Sequence, residues 1–287
     1  MRTRIRIEGI ARQWQGNEVV ARLTAIVPEG RLGSDRHMFR ADLPIEDSRV
    51  EALLEVLQEA GLMPWTDKAR MPNRKQEYVL SYRRVYEPAE LAAAEYLELY
   101  PGPVTSVDGD RRAGARTITM IEEPGKADIC MVGLKSHAFV AVQRARDVLE
   151  AANLKGLHFL PVEKAYESVD YDLFDEEDTW WELESDLQLP PLSPSMNLET
   201  RDGRPFTGDF ADGCLRRDGL YTYAELHYRR SDLERFGPFD AARTYEQFHS
   251  RGPAPSERAL VVSQKFYQTC VANNINARFV PVRIDEA

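Results

Sequence analysis

Residues 139–162, FVAVQRARDVLEAANLKGLHFLPV, and residues 259–282, ALVVSQKFYQTCVANNINARFVPV, read as two copies of one unit. Each opens with a short apolar run and continues for about three helical turns. A polar turn containing asparagine follows, then an apolar run ending in Pro-Val. Without gaps, Val142, Ala152, Asn153, Phe159, Pro161 and Val162 match Val262, Ala272, Asn273, Phe279, Pro281 and Val282. A one-residue gap instead aligns Asn153-Leu154 with Asn274-Ile275 and improves the turn. Ala145, Val148, Leu149 and Ala152 recur at helical spacing in the first copy, and Phe266, Thr269, Cys270 and Asn273 take the related positions in the second. Two copies are too few for a solenoid. They predict a pseudo-symmetric domain of duplicated strand–helix–strand units, with chance likeness between common β–α–β patterns as the alternative.

Working outward, the class is α+β. Residues 1–86 predict a β-rich N-terminal unit with one helix. Ile5, Ile7 and Ile10 interleave with Arg4, Arg6 and Glu8 in a half-buried strand pattern. Residues 19–27, stopped by Pro28, residues 37–43 and residues 77–85 read as further strands. The helix is capped by Asp47 or Ser48, presents Val50, Leu53, Leu54, Leu57 and Ala60 on one face, and stops at Gly61. Residues 87–287 form the second, larger domain. Pro88 suits a first helical position, and residues 91–99 read as the continuation of that helix. Residues 117–121, 129–133 and 221–230 read as strands, residues 187–217 as a Pro-rich loop, and residues 235–252 as turns or a short helix.

The totals exclude several classes. Across 287 residues, 43% hydrophobic and 29% charged residues give ordinary globular composition. No apolar run approaches the ~20 residues that span a bilayer, and the basic N-terminus lacks the apolar core of a signal peptide. Cys130, Cys214 and Cys270 are odd in number and far apart, so neither a disulfide framework nor a zinc site follows, and the cytoplasm is the expected compartment. The net charge of −10 opposes binding to nucleic acid or an anionic membrane, whose phosphates attract cations. The paired arginines are scattered and outweighed by acids.

The negative charge is concentrated. Residues 166–186, YESVDYDLFDEEDTWWELESD, carry ten carboxylates and no Lys or Arg, interleaved with Tyr166, Tyr171, Phe174, Trp180 and Trp181. Like charges at this density repel one another unless a cation arrives. Tryptophan and tyrosine dominate interface hot spots, and acids steer a basic partner. Asp170, Asp172, Asp175, Glu176, Glu177, Asp178, Trp180 and Trp181 are therefore the candidate partner-binding residues. The competing reading is an acidic loop whose aromatics pack on the protein's own core.

Catalytic and metal patterns are weaker. Asp170-x-Asp172 begins like a calcium loop, but Asp175 stands where glycine is required and Trp181 where glutamate is required. His37, His137, His158, His227 and His249 sit in no recognisable motif. Cys130 and Cys270 fall in apolar patterns typical of inert buried thiols. Cys214 is the candidate exposed thiol, with His227 as its conceivable base. There is no GxSxG, HExxH, P-loop or GxGxxG. No catalytic residue, metal or cofactor is expected.

From about residue 86 to residue 284 the chain resembles bacterial proteins linked to polymorphic-toxin immunity, including the myxobacterial double-CXXCG paralogues. The resemblance is carried by YEPAELAAAEYLELYPG, by the two repeated units, and by ELHYRRSDLERFGPFDAARTYEQF. Both CXXCG pairs are missing here, so no zinc role is carried over. The resemblance implies an immunity-type protein that neutralises a cognate protein toxin or effector by tight, stoichiometric binding, and it transfers no functional residue. The acidic–aromatic segment as the contact, and a basic partner for it, are expected from the charge and aromatic pattern. The alternative is a scaffolding component that self-associates through the repeated units. An unrecognised hydrolase built on Cys214 is a third reading.

Overall fold

The computed structural model describes residues 2–10, 17–28, 31–32, 38–64, 77–100, 106–110, 119–120, 128–134, 138–164, 179–196, 198–200, 214–217, 225–248 and 258–286. The chain forms two compact units, one over Met1–Glu87 with Asp218–Tyr223, the other over Pro88–Arg217 with Ala224–Ala287. Both combine helices with sheets, in the α+β class expected. Among the described residues no helix is long and apolar enough to cross a membrane.

The first unit runs β1 (Arg2–Ile10), α1 (Asn17–Ile26), β2 (Arg31–Leu32), β3 (Met38–Pro44), α2 (Arg49–Glu59), β4 (Met63–Pro64) and β5 (Glu77–Val85). Its sheet has the order β2-β3-β1-β5-β4, with β1 antiparallel to both β3 and β5. Strand alternation sends Ile5, Ile7, Phe39, Ala41 and Leu43 to one face, where both helices cover them. Residues 19–26 of the stretch expected as a strand lie in α1, so the described residues of this unit hold two helices where one was expected. Val19, Leu23 and Val27 are its buried residues, four apart, which is a helix face. Arg22 and Thr24, two apart in an otherwise apolar stretch, hide that period. At the start of α2, Asp47 does the capping: its Oδ1 accepts the Arg49 N–H at 3.0 Å. The hydrogen-bonded Arg49 side chain holds the Asp47 carboxyl down at about 2. Gly61 ends the helix in the left-handed region at φ 67.

The second unit begins with α3 (Pro88–Ala93), β6 (Tyr96–Leu99), β7 (Ser106–Asp110), β8 (Thr119–Met120) and β9 (Ile129–Leu134). The first repeat follows as β10 (Ala138–Val142), α4 (Gln143–Ala151) and β11 (His158–Pro161), then β12 (Glu163–Lys164) and β13 (Trp180–Glu184). Beyond lie β14 (Leu198–Thr200), β15 (Cys214–Arg217), β16 (His227–Arg229), α5 (Arg230–Phe236), β17 (Ala241–Arg243) and β18 (Gln247–Phe248). The second repeat is β19 (Leu260–Ser263), α6 (Gln264–Ala272) and β20 (Phe279–Pro281), and β21 (Arg283–Asp285) closes the chain. The helix expected to reach residue 99 stops at Ala93. Leu97 and Leu99 instead alternate with Tyr96 and Glu98 in β6, because pairing with β19 and β20 overrides local helix propensity. The region expected as one strand over 221–230 is described from residue 225, where a three-residue strand turns into α5.

Both repeats are strand–helix–strand, and in neither do the two strands touch. β13 lies between β10 and β11, antiparallel to both, as β6 lies between β19 and β20. The two repeats occupy different sheets, ordered β11-β13-β10-β9-β7-β8-β12 and β17-β19-β6-β20. In the smaller sheets β15 pairs with β14 and β18, and β16 pairs with β21. α4 and α6 share one core with both large sheets: Ala145 and Leu149 from α4, Phe266 and Cys270 from α6, and Leu97, Leu99, Ala141, Leu183 and Val262 from the strands.

The correspondence extends to individual hydrogen bonds. Asn153 and Asn274 end the two helices with φ of 49 and 53, and the residues that follow, Leu154 and Ile275, are each 6% exposed. The gapped alignment is thus the correct one for the turn, and the ungapped one for the closing strands, where Phe159 and Phe279 sit opposite Leu183 and Leu99. Arg144, second residue of α4, donates to the carbonyls of Asn273 and Asn274 at 3.1 and 3.3 Å. Lys265, second residue of α6, donates to the carbonyl of Asn153 at 3.1 Å. Each helix therefore offers a cation to the carbonyl end of the other, where the helix dipole is negative. Asp128 accepts the Asn276 N–H at 2.7 Å, and Asp240 accepts the Lys155 N–H at 2.8 Å. Between these contacts Gly156 has φ 88, and a Cβ there would run into the Ala241 carbonyl oxygen.

Candidate protein-binding surface

The acidic–aromatic segment leaves β12 and returns to the sheet at β13. Asp170, Asp172, Asp175, Glu176, Glu177 and Asp178 lie outside the described residues. From Trp180 onward the geometry is given. β13 alternates its side chains between two faces, so the adjacent tryptophans point in opposite directions.

Trp180 packs with Cys130, Ala138 and Val140 and is 3% exposed. It takes the competing reading stated above, an aromatic packed on the protein's own core, and is withdrawn as an exposed anchor. Trp181 turns toward α4 and is half-buried. Its indole Nε1 donates to Gln143 Oε1 at 2.6 Å, and the Arg146 guanidinium lies 3.8 Å from the ring centroid. Arg146 is in turn paired with Glu150 at 3.0 Å. A cation stacked on an indole contributes on the order of 1 kcal/mol. Trp181 is thus engaged on α4.

Of the later acids of the segment, Glu182 and Glu184 are held in the sheet and Asp186 is exposed. Glu182 is 0% exposed on the Trp180 face. Glu184 binds Arg243 at 2.7 Å, both side chains mostly buried. Asp186 is 3.9 Å from His158 and open to solvent. The part of the segment within β13 is therefore held in the sheet, and its remaining carboxylates, at 167–178, lie outside the described residues.

Other titratable groups lie elsewhere in the second unit. Ser195 Oγ is 2.9 Å from His227 Nδ1 and also hydrogen-bonds Asp285, which accepts Ser193 Oγ at 2.6 Å. The two serine hydroxyls, first Ser193 and then Ser195, hold the Asp285 carboxyl below the usual range. This is a Ser, a His and an Asp in contact, but in the wrong order for a relay. The carboxylate bonds the serines instead of orienting the imidazole, which a serine nucleophile's base requires. What the arrangement does is pin the 193–195 turn to β16 and β21, and the Ser193 N–H donates to the His227 carbonyl at 2.8 Å.

Glu246 is 1% exposed and accepts the Leu192 N–H at 2.7 Å. Burial pushes its carboxyl up to about 7. Nearby in sequence, Pro190, Pro191, Phe236 and Tyr245 line a shallow, open groove of about 410 Å³, together with Gln188, Leu189, Asp232 and Arg235. The thiols of Cys130 and Cys270 are buried and pushed up to about 12 by that burial, which leaves them protonated and unreactive. Cys214 begins β15 beside Gln247 of β18, and the Nδ1 of His227, its conceivable base, faces Ser195. Among the described residues no group of three or more His, Cys, Asp and Glu side chains could hold a metal ion.

The Glu246 and Ser195–His227–Asp285 clusters were not found from sequence, because their members come from separated segments with no motif spacing. The equivalent central strands share Glu-Leu at 98–99 and 182–183, a likeness too short to be read without the pairing.

No protein-family model matches the chain, no curated protein matches it, and no solved structure matches it.

Proposed function

We propose that this chain is an immunity-type protein that binds and neutralises a basic toxin or effector protein, with the acids of residues 167–178 as its contact. The reading rests on one observation. Residues 167–178 carry seven carboxylates and no Lys or Arg, and the chain runs from them into β13, where Trp180 is embedded and Trp181 is engaged. In this reading the tryptophans stay with the sheet, and the carboxylates before them meet the partner. Acids arranged in this way speed encounter with a cationic surface and reject acidic ones. The net charge of −10 acts in the same direction.

The experiment is capture of partners by the tagged chain at low salt, followed by purification of the captured protein and measurement of its affinity. A variant carrying Asn or Gln at Glu167, Asp170, Asp172, Asp175, Glu176, Glu177 and Asp178 is compared with the parent chain. We expect a 1:1 complex, protection of cells from the partner's toxicity, and a loss of about thirtyfold or more in the variant, equivalent to ~2 kcal/mol. Unchanged affinity would move the contact elsewhere on the molecule. Recovery of the bait alone, as a defined oligomer in light scattering, would favour the scaffolding reading instead.

A further inference from the structure

The strand order within the two large sheets does not follow the chain. β9, β10, β13 and β11 stand side by side in one sheet, and β17, β19, β6 and β20 stand in the corresponding order in the other. Along the chain the sequence of elements is β6, β9, β10, α4, β11, and then, passing over short strands, β13, β17, β19, α6, β20. Each half thus begins with a strand that lies in the middle of the other half's sheet. We propose that the second unit is a tandem duplication whose two repeats have exchanged their leading strands, so that each repeat carries an open slot shaped for the strand of its partner repeat.

The register carries this inference. Glu98 faces Val261 on one side and Val280 on the other, and Glu182 faces Val140 and Leu160 in the same way. The two glutamates are 3% and 0% exposed. The strand ends agree as well: the Val282 N–H donates to the Tyr96 carbonyl at 2.9 Å, and the Val162 N–H to the Trp180 carbonyl at 3.1 Å. The flanks match, since the Val142 and Ser263 N–H groups donate to the carbonyls of Asp128 and Asp240, each at 3.0 Å. A chance likeness of β–α–β units would not reproduce the edge strand, the central strand and both aspartates together.

Each slot is a gap between two parallel strands, backed by a helix, and it accepts an extended segment antiparallel to both. This is recognition by strand addition, in which main-chain hydrogen bonds supply affinity and alternate side chains supply selectivity. The selectivity is visible. At the position where β6 presents Leu97, β13 presents Trp181 under Arg146. The larger side chain suits one slot and the smaller side chain the other. The partner that each half fits is therefore the other half of this same chain.

The test begins with the full chain carrying a protease recognition sequence within residues 165–178, cut after folding. A second form, in a Cys214→Ser background, adds His158→Cys and Glu184→Cys, which stand opposite each other across β11 and β13 on the two sides of the cut. We expect the cut halves to elute together until denaturant is added. In the cysteine form we expect a single band at the uncut mass on a non-reducing gel. Halves that elute apart as folded species would overturn the exchange, as would unlinked halves in a cut chain with an unaltered circular dichroism spectrum. Should the cysteine form not fold, co-elution of the halves without cysteine changes decides the matter.

Discussion

Glu246 illustrates how one residue can set the pH response of a fold. One oxygen accepts the Leu192 N–H, and the other is buried with no hydrogen-bond partner among the described residues. Burial raises the folded carboxyl from its ordinary 4.5 to about 7. The folded state then holds a proton that the unfolded chain releases. The stabilising contribution is complete below about pH 4.5, declines as pH rises, and is lost above about 7. Glu246→Gln keeps an acceptor for Leu192 and removes the charge. It should stabilise the protein by up to about 3 kcal/mol at pH 8, and by little at pH 4, in urea unfolding at the two pH values. Equal effects at both would show that the carboxyl is not held neutral. Trp180 makes a different point at the same scale. Its interest as an exposed anchor came from its neighbours, ten acids and a second tryptophan, whereas its position on the Cys130–Val140 face of β13 was decided by strand alternation.

At the scale of elements, the paired helix ends offer a direct check on the duplication. Asn153 and Asn274 have exposed side chains and positive φ, so their value lies in the backbone conformation they tolerate. Asn153→Ala and Asn274→Ala should each cost about 1 kcal/mol, and the glycine variants should cost only a few tenths or be neutral. Chemical unfolding followed by circular dichroism measures both series, and an alanine variant as stable as the parent would show that the turn is not so constrained. The repeats themselves were legible in sequence because strand, helix and turn are local, and the asparagines stand where a left-handed residue is required. The central strands were not, since β6 and β13 derive their place from pairing with segments far away in the chain. β6 follows an alanine-rich helix and read as its extension, and β13 ends an acidic run and read as surface. α1 was missed for a third reason: the polar Arg22 and Thr24 stand two apart in an otherwise apolar stretch and imitate strand alternation. Of the candidate site, the charge was readable and the fate of the tryptophans was not.

For the molecule as a whole, the net charge of −10 makes a prediction about encounter rather than grip. Association with a basic partner should slow by about tenfold or more between about 50 and 500 mM salt, with dissociation changing less, as read by stopped-flow mixing. A flat association rate would remove electrostatic steering from the mechanism. The placement of β6 between β19 and β20 has a consequence for how the protein is made. β6 leaves the ribosome early, yet its two neighbours follow roughly 160 residues later, on the order of ten seconds at ordinary elongation rates. Throughout that interval Leu97 and Leu99, fully interior in the finished fold, have neither neighbouring strand to pair with. The strand synthesised first among the two large sheets is thus paired last, and its sheet closes only when β20, ending at Pro281, has emerged. A nascent chain interrupted after β6 and before β19 carries β6 without either neighbour, the kind of segment that chaperones hold and aggregates recruit.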